Sequence, residues 1–280
     1  MSTPARPIPK RDLRFDFSQV DLANWHPDGR FVSHYFNVHS LQFPDGERFF
    51  INSVRHYRER ITDPVLREQV AGFIAQEAMH GREHETYNTA LARIGYPVAA
   101  MLRAVNRSLW MPKNIMPPRG RLAMTAALEH LTAIGAEDLL EHGHRLDDAD
   151  PQMAKLWRWH AVEETEHKAV AFDVYRQVTG GGFIAWLRRC FTMLTASIGM
   201  TLMTWAFLVD VVRRDGRLLD LRGWGGLLRW LWIEPGTLRR QFPRYWRWFR
   251  PGFHPWQTDN YYQVERWSAL YSPQRQGESS

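Results

Sequence analysis

The stretch "WHAVEETEHKAV", residues 159–170, places His160, Glu163, Glu164, Glu166 and His167 among apolar neighbours. On a helix, His160, Glu164 and His167 fall on one stripe, Glu163 sits at its edge and Glu166 points away. Trp157, Ala161, Ala171 and Phe172 surround that stripe with apolar bulk. Burying it requires a partner for every charged or polar head, because an uncompensated buried charge is costly. A metal ion would be such a partner, although a single Glu-x-x-His pair is equally the pattern of a solvated helix face.

The spacing occurs twice. "AQEAMHGREH" carries Glu77 and His80, 87 residues before Glu164 and His167. Two such pairs on long helices form the inner half of a di-metal carboxylate site, and the other half should be one inward glutamate on each of two further helices. Glu47 in "GERFF", 30 residues before Glu77, and Glu129 in "TAALEHLTA", 35 residues before Glu164, fit that requirement. Two divalent cations about 3.5 to 4 Å apart repel, and four carboxylates offset that charge and can bridge the ions. Oxygen and nitrogen ligands without a thiolate suit two iron ions, with manganese or zinc also open. Around this set, His84 is expected as a supporting partner of a ligand, with a direct ligand role left open. Glu163 is expected beside the cluster and Glu137 as a group able to hold a ligand histidine. Glu83, Glu85, His130 and Glu166 read as solvated or salt-bridged residues.

The rest of the chain frames this core. Its 280 residues, 44% apolar, can bury a substantial interior. The lone Cys190 excludes an internal disulfide framework and an all-cysteine metal site, and it points to a reducing compartment. "MSTPARPIPKRDLRFDF" has no apolar run before its first charges, so a cleaved secretory signal is not expected. The expected location is the cytoplasm, with peripheral attachment to the inner face of the membrane left open.

Residues 1–44 read as a loosely structured arm. Helices are expected over 47–61, from Pro64 to about Ile94, over about 98–110, from Arg121 to Leu146, and from Pro151 to Val178. The predicted fold is all-α, a four-helix bundle over 45–180 followed by a hydrophobic, Arg/Trp-rich helical extension over 181–280. Within it, 191–209 is uncharged and, as a helix, about 28 Å long, close to the roughly 30 Å of bilayer hydrocarbon. Three readings stay open: a helix packed on the bundle, one lying on a membrane, or a span. The net charge of +6 gathers with tryptophan toward the C-terminus, which suggests contact with a membrane surface through 183–256. No nucleic-acid-binding signature accompanies it, so nucleic acid is not an expected partner.

The segments "FPDGERFF", "QEAMHGREHETYN", "ALEHLTA" and "WHAVEETEHKAVAFDVY" resemble the ferritin-like di-iron carboxylate superfamily. More closely, they resemble the bacterial family called predicted metal-dependent hydrolases, over roughly residues 41–178. The ligand pattern is also similar to that of the p-aminobenzoate N-oxygenases, which carry an additional histidine four residues before the last glutamate. Position by position, the resemblance implies Glu47, Glu77, His80, Glu129, His160, Glu164 and His167 as metal ligands. The C-terminal hundred residues depart from the N-oxygenase pattern, so no substrate carries over.

The leading functional expectation is a di-iron, oxygen-activating oxidoreductase of the monooxygenase or hydroxylase type acting on a hydrophobic or lipid-like molecule. No flavin or nicotinamide fingerprint is present, so such an enzyme would need an external electron donor. The alternative is a metal-dependent hydrolase using a metal-bridged hydroxide, and a further one is a non-enzymatic iron-binding protein. A serine hydrolase is disfavoured by the absence of Gly-x-Ser-x-Gly.

Overall fold

Helix starts follow the caps written in the sequence. Asp63 accepts from the Val65 amide at 2.9 Å with Pro64 at the first turn, and Asp150 does the same for Gln152 and Met153 ahead of Pro151. In the computed structural model, which describes residues 6–271, the helices are α1 (Arg30–Ser40), α2 (Phe43–Arg55), α3 (Pro64–Arg93), α4 (Val98–Asn114), α5 (Pro118–Glu141) and α6 (Pro151–His167). Beyond these come α7 (Val170–Thr179), α8 (Phe183–Arg214), α9 (Leu221–Trp232), α10 (Thr237–Arg247) and α11 (Tyr261–Ser268). No strand occurs among the described residues, so the chain is all-α as expected. Residues 1–5 of the N-terminal reading and the last nine residues of the C-terminal extension lie outside the described part.

Helix α2 runs along α3, α5 runs along α6 and α7, and α2 meets α5 while α3 meets α7, so these elements share one interior. Phe49, Phe73, Ala127 and Val170 fill it on one side of the polar cluster, and Trp159, Leu156 and Tyr87 fill it on the other.

Several expected boundaries shift for physical reasons. The long last helix breaks after His167 into α6 and α7. At the break the buried Lys168 turns its ammonium to the Thr258 carbonyl (2.9 Å) and to Asn260 Oδ1 (2.6 Å). Helix α5 ends at Glu141, followed by a short 3-10 turn at Gly143–Leu146, where Trp267 packs against Gly143. Helix α2 starts earlier than expected, with Pro44 in its first turn, and ends at Arg55.

The reading of 1–44 as a loose arm needs correction. Residues 30–40 form α1, and the irregular stretch before it is packed, with Phe15, Phe17, Leu22 and Trp25 each no more than 6% exposed. Its alternation of buried Phe15 and Phe17 with exposed neighbours carries no helical period, which is why the sequence gives it no element.

The apolar stretch 191–209 lies inside α8. One face of α8 is buried against α5 and α1 through Met193, Ala196, Leu208 and Val212, and Thr192 donates to the Ala123 carbonyl of α5 at 3.2 Å. By length and composition α8 could cross a bilayer, and 33% of its most apolar window is buried in the protein.

Helix α9 is seated on α1 at Gly223, where a Cβ would overlap the Phe31 ring. Gly223→Ala is expected to destabilise the fold by about 1 to 3 kcal/mol, the usual cost of overpacking. Urea unfolding checks this, and an unchanged midpoint would show that the α1–α9 contact yields freely.

Candidate metal centre

Each helix of the shared interior delivers its ligand-type residues inward. Glu47 comes from α2, Glu77 and His80 from α3, Glu129 from α5, and His160, Glu164 and His167 from α6. All seven are at most 4% exposed. Glu47 with Glu77 and His80, Glu77 with Glu164 and His167, and His80 with His160 and Glu164 each present ligand atoms within 4.8 Å of one another. Glu129 joins through Oε2, 3.5 Å from His167 Nε2. The seven residues singled out from the sequence therefore form one buried cluster.

The hydrogen-bond network fixes which imidazole nitrogen faces the carboxylates. Asn88 Nδ2 donates to the Ser40 carbonyl (3.1 Å), so Asn88 Oδ1 accepts from the Ser40 hydroxyl (2.8 Å). The Ser40 oxygen then accepts from His84 Nδ1 (2.9 Å), leaving His84 Nε2 to accept from His160 Nδ1 (2.8 Å). His160 Nε2 consequently turns a lone pair toward Glu164 Oε1, 3.0 Å away.

A second relay acts on His167. Gln76 Nε2 donates to Glu166 (2.7 Å) and to the Pro9 carbonyl (3.0 Å), so Gln76 Oε1 accepts from His167 Nδ1 (2.9 Å). His167 Nε2 then faces Glu77 Oε1 at 3.1 Å and Glu164 Oε2 at 3.7 Å. His80 lies between Glu163, 3.0 Å from its Nε2, and Glu164, 3.8 Å from its Nδ1. His160 and His167 thus each have one nitrogen on an outer partner and the other on the carboxylates, the arrangement that outer partners impose on metal-bound imidazole, whereas neither ring nitrogen of His80 makes a hydrogen bond among the described residues.

Both carboxylate oxygens of Glu47, Glu77 and Glu129 lack a hydrogen-bond donor among the described residues. Buried acceptors facing imidazole lone pairs without an intervening donor call for a cation, so this set fits divalent metal. With protons alone, burial and the neighbouring Glu77 and Glu164 hold Glu47 well above the usual carboxylate range, and burial with Glu77 does the same for Glu129. Glu77 is raised mainly by burial. Burial would raise Glu164 too, but the facing imidazoles of His160 and His167 take it well below that range. Burial would lower His167, and Glu164, Glu77 and Glu129 reverse that and hold it charged.

Outside the seven, His84 bonds Ser40 through Nδ1 and His160 through Nε2, and with Glu47 and His160 it also presents ligand atoms within 4.8 Å of one another. Glu163 stands beside the cluster as expected, held by Trp159 Nε1 (2.8 Å) and Arg11 (3.2 Å), with burial pushing its carboxyl up to about 7. Glu137 is a correction: it pairs with Arg244 at 3.0 Å rather than holding a ligand histidine, because the break after α5 brings α10 alongside that end of the helix. Glu166, Glu83 and Glu85 are salt-bridged, to Arg11, Arg82 and Arg48, the first two while buried. His130 is a core residue stacked 4.9 Å from Trp248 rather than a solvated one.

Sequence reading missed Arg11, Ser40, Gln76, Asn88 and Thr132. Gln76 and Asn88 lie on the inward face of α3, one position before Glu77 and one turn beyond His84, and that periodicity could have marked them. Arg11 reaches Glu163 and Glu166 from the irregular N-terminal stretch, which has no period to read.

Fold and cluster define an all-helical protein with a buried carboxylate and imidazole centre of metal-binding type. The chain belongs to the family described as predicted metal-dependent hydrolase, whose model matches residues 9–259. The match takes in the N-terminal stretch and most of the C-terminal extension, well beyond residues 41–178. No curated protein and no solved structure matches the chain.

Two predictions follow from the protonation of the cluster. Glu47 and Glu129 hold protons more tightly folded than unfolded, so in metal-free protein their favourable contribution is complete below the unfolded value of 4.5 and is lost as pH rises through their raised folded values. Metal must displace those protons and the one on His167. Apparent affinity should therefore fall from about pH 8 to about pH 5, and calorimetry in buffers of different ionisation enthalpy should register proton release. A pH-independent affinity would contradict this assignment. Separately, His84→Ala removes the acceptor that orients His160 and should weaken metal binding by about 10- to 100-fold, read by competition with a chromogenic chelator.

Proposed function

We propose that the chain is a metal-dependent enzyme in which Glu47, Glu77, His80, Glu129, His160, Glu164 and His167 hold two divalent ions. On this reading α2, α3, α5 and α6 with α7 are the four rods of a ferritin-like bundle. In keeping with the family's description, the activity is hydrolysis of a bond in an apolar molecule. The observation that carries the reading is the convergence of imidazole nitrogens on buried carboxylates, of which Glu47, Glu77 and Glu129 have no hydrogen-bond donor among the described residues, with His160 and Glu164 of the same cluster at the wall of a cavity. Bound divalent ions would supply Lewis acidity and lower the pKa of water.

The chain's own residues do the rest. A cavity of about 210 Å³ is bounded at one end by His160, Glu164 and Thr132. Thr132 Oγ1 donates to Glu164 Oε2 at 2.5 Å, which fixes that carboxylate where the cavity meets the cluster. From there the wall is made of rings: Trp157 lies 6.4 Å from His160, Phe36 is 4.9 Å from Trp157, and His26 is 5.4 Å from Phe36. Met200 and Leu238 complete an apolar surface that excludes water from an apolar chain.

Arg145 lines the same cavity and makes no side-chain hydrogen bond or ion pair with the described residues. Burial, and then Arg240, lower its pKa, while the carboxylates of Asp138, which lines the same cavity, of Asp28 and of Glu234 act against that. An anionic terminus on the substrate would satisfy this cation. Arg145→Gln should weaken binding of a medium-chain fatty carboxylate by about tenfold and leave the matching alcohol unaffected, as titration of the metal-loaded protein would show. Equal loss for both ligands would remove Arg145 from substrate recognition.

A second reading, oxygen activation by two iron ions with an external electron donor, is favoured by the thiolate-free, fully buried ligand set beside an aromatic cavity. The two separate cleanly. Zinc- or manganese-loaded protein under argon should cleave a chromogenic ester of a medium-chain fatty acid, and Glu164→Gln should abolish that cleavage. Oxygen uptake by the ferrous protein, with no cleavage under argon, would give the site to the second reading.

A further inference from the structure

The face of α8 turned away from α5 is a continuous apolar ridge. Ile184, Leu187, Phe191, Leu194, Ile198 and Leu202 recur every three or four residues, and each is 42–66% exposed. The ridge is about 27 Å long at helical rise. No charged residue interrupts the chain between Arg189 and Asp210. An exposed apolar surface on this scale marks an interaction site.

We propose that this ridge lies flat on an anionic lipid surface, with the axis of α8 along the plane of the bilayer. The opposite face excludes a span. Met193 and Leu208 are fully buried, and the enclosed Arg189 donates to the Arg250 carbonyl at 2.8 Å with its guanidinium 5.0 Å from the Trp248 ring centre. Lipid therefore cannot surround α8 while the core is intact. The net charge at the ends of the ridge disfavours a second copy. Arg188 stands one turn inside its first residue, and Arg213 and Arg214, which share Asp210 at 2.7 and 2.9 Å, stand beyond its last, so each end is net positive and pairing two α8 ridges sets like charge against like in either orientation. Phosphate-bearing headgroups complement both ends, and Trp205, stacked 6.4 Å from Trp224, carries the surface onto α9 with its exposed Leu221 and Arg222.

The placement also orients the cavity. Met200 lines it from α8 between the exposed Ile198 and Leu202, so α8 separates the lipid from the substrate chamber. Docking itself does not depend on the proposed chemistry.

Flotation of the full-length protein with vesicles tests the assignment. Wild type should float with vesicles of phosphatidylcholine and phosphatidylglycerol, less with phosphatidylcholine alone, and less as salt is raised. The triple variant Phe191→Glu, Ile198→Glu, Leu202→Glu alters exposed positions only. It should keep the wild-type circular dichroism and lose vesicle binding by at least about tenfold. Failure of wild type to float would overturn the proposal, as would equal flotation of the variant. Light scattering that finds a wild-type dimer converted to monomer by the same substitutions, without vesicle binding, would give the ridge to a second copy and overturn it as well.

Discussion

Carboxylates share a dry interior only when protons or metal cations neutralise them. Glu47, Glu77, Glu129 and Glu164 meet within such an interior, and the seven-residue cluster they form with His80, His160 and His167 imposes most of what surrounds it. The helices must be long enough to bring one glutamate or one Glu-x-x-His pair each to a common level. An imidazole ligand needs an outer partner that leaves one lone pair facing inward, and His84, itself held by Ser40, supplies it to His160 and Gln76 to His167. Residues without ligand capability are thereby drawn into the site by the protonation state they enforce.

The N-terminal stretch shows how far this demand extends. Arg11 bonds both oxygens of Glu166 at 2.7 and 2.8 Å and one oxygen of Glu163 at 3.2 Å, while Glu166 in turn receives Gln76, the partner of His167. A single guanidinium outside any helix therefore holds Glu163 beside His80 and, through Glu166 and Gln76, supports His167. Phe15 fixes the same stretch by packing 5.5 Å from Trp159, and its amide donates to Glu83 at 3.0 Å. An irregular segment so anchored belongs to the site's framework, and the family match beginning at residue 9 agrees with that.

What the sequence made legible was periodic. The repeated Glu-x-x-His, the glutamates set 30 and 35 residues ahead of each pair, and the Asp-Pro helix starts all rest on spacings within one helix, and the structure brings those residues together. What it hid was non-local. Arg11 lies 152 residues from Glu163, and Ser40 lies 44 from His84, so no window of helical period contains either pair. The misreading of Glu137 has the same origin. Its face of α5 is correct, but the approach of α10, which supplies Arg244, depends on chain reversals that no local pattern records. The break after His167 was likewise invisible because it depends on Lys168 finding Thr258 and Asn260, 90 and 92 residues away.

Helix α5 joins the cluster, the cavity and the exposed ridge in one rigid element. Glu129 faces the metal-binding cluster, Thr132 faces both the cavity and Glu164 one turn later, and Ala123 accepts the Thr192 hydroxyl that seats α8. These three positions span less than three turns of one helix, so a displacement of α8 relative to α5 would move Met200 in the cavity wall together with the exposed ridge. The proposed substrate chamber and the proposed docking ridge therefore share one packed face, held by the Thr192 to Ala123 bond and the buried Met193 and Ala196. The carboxylate cluster is buttressed by Arg11 and Gln76 instead, so the centre and the chamber wall formed by α8 are held by separate sets of contacts.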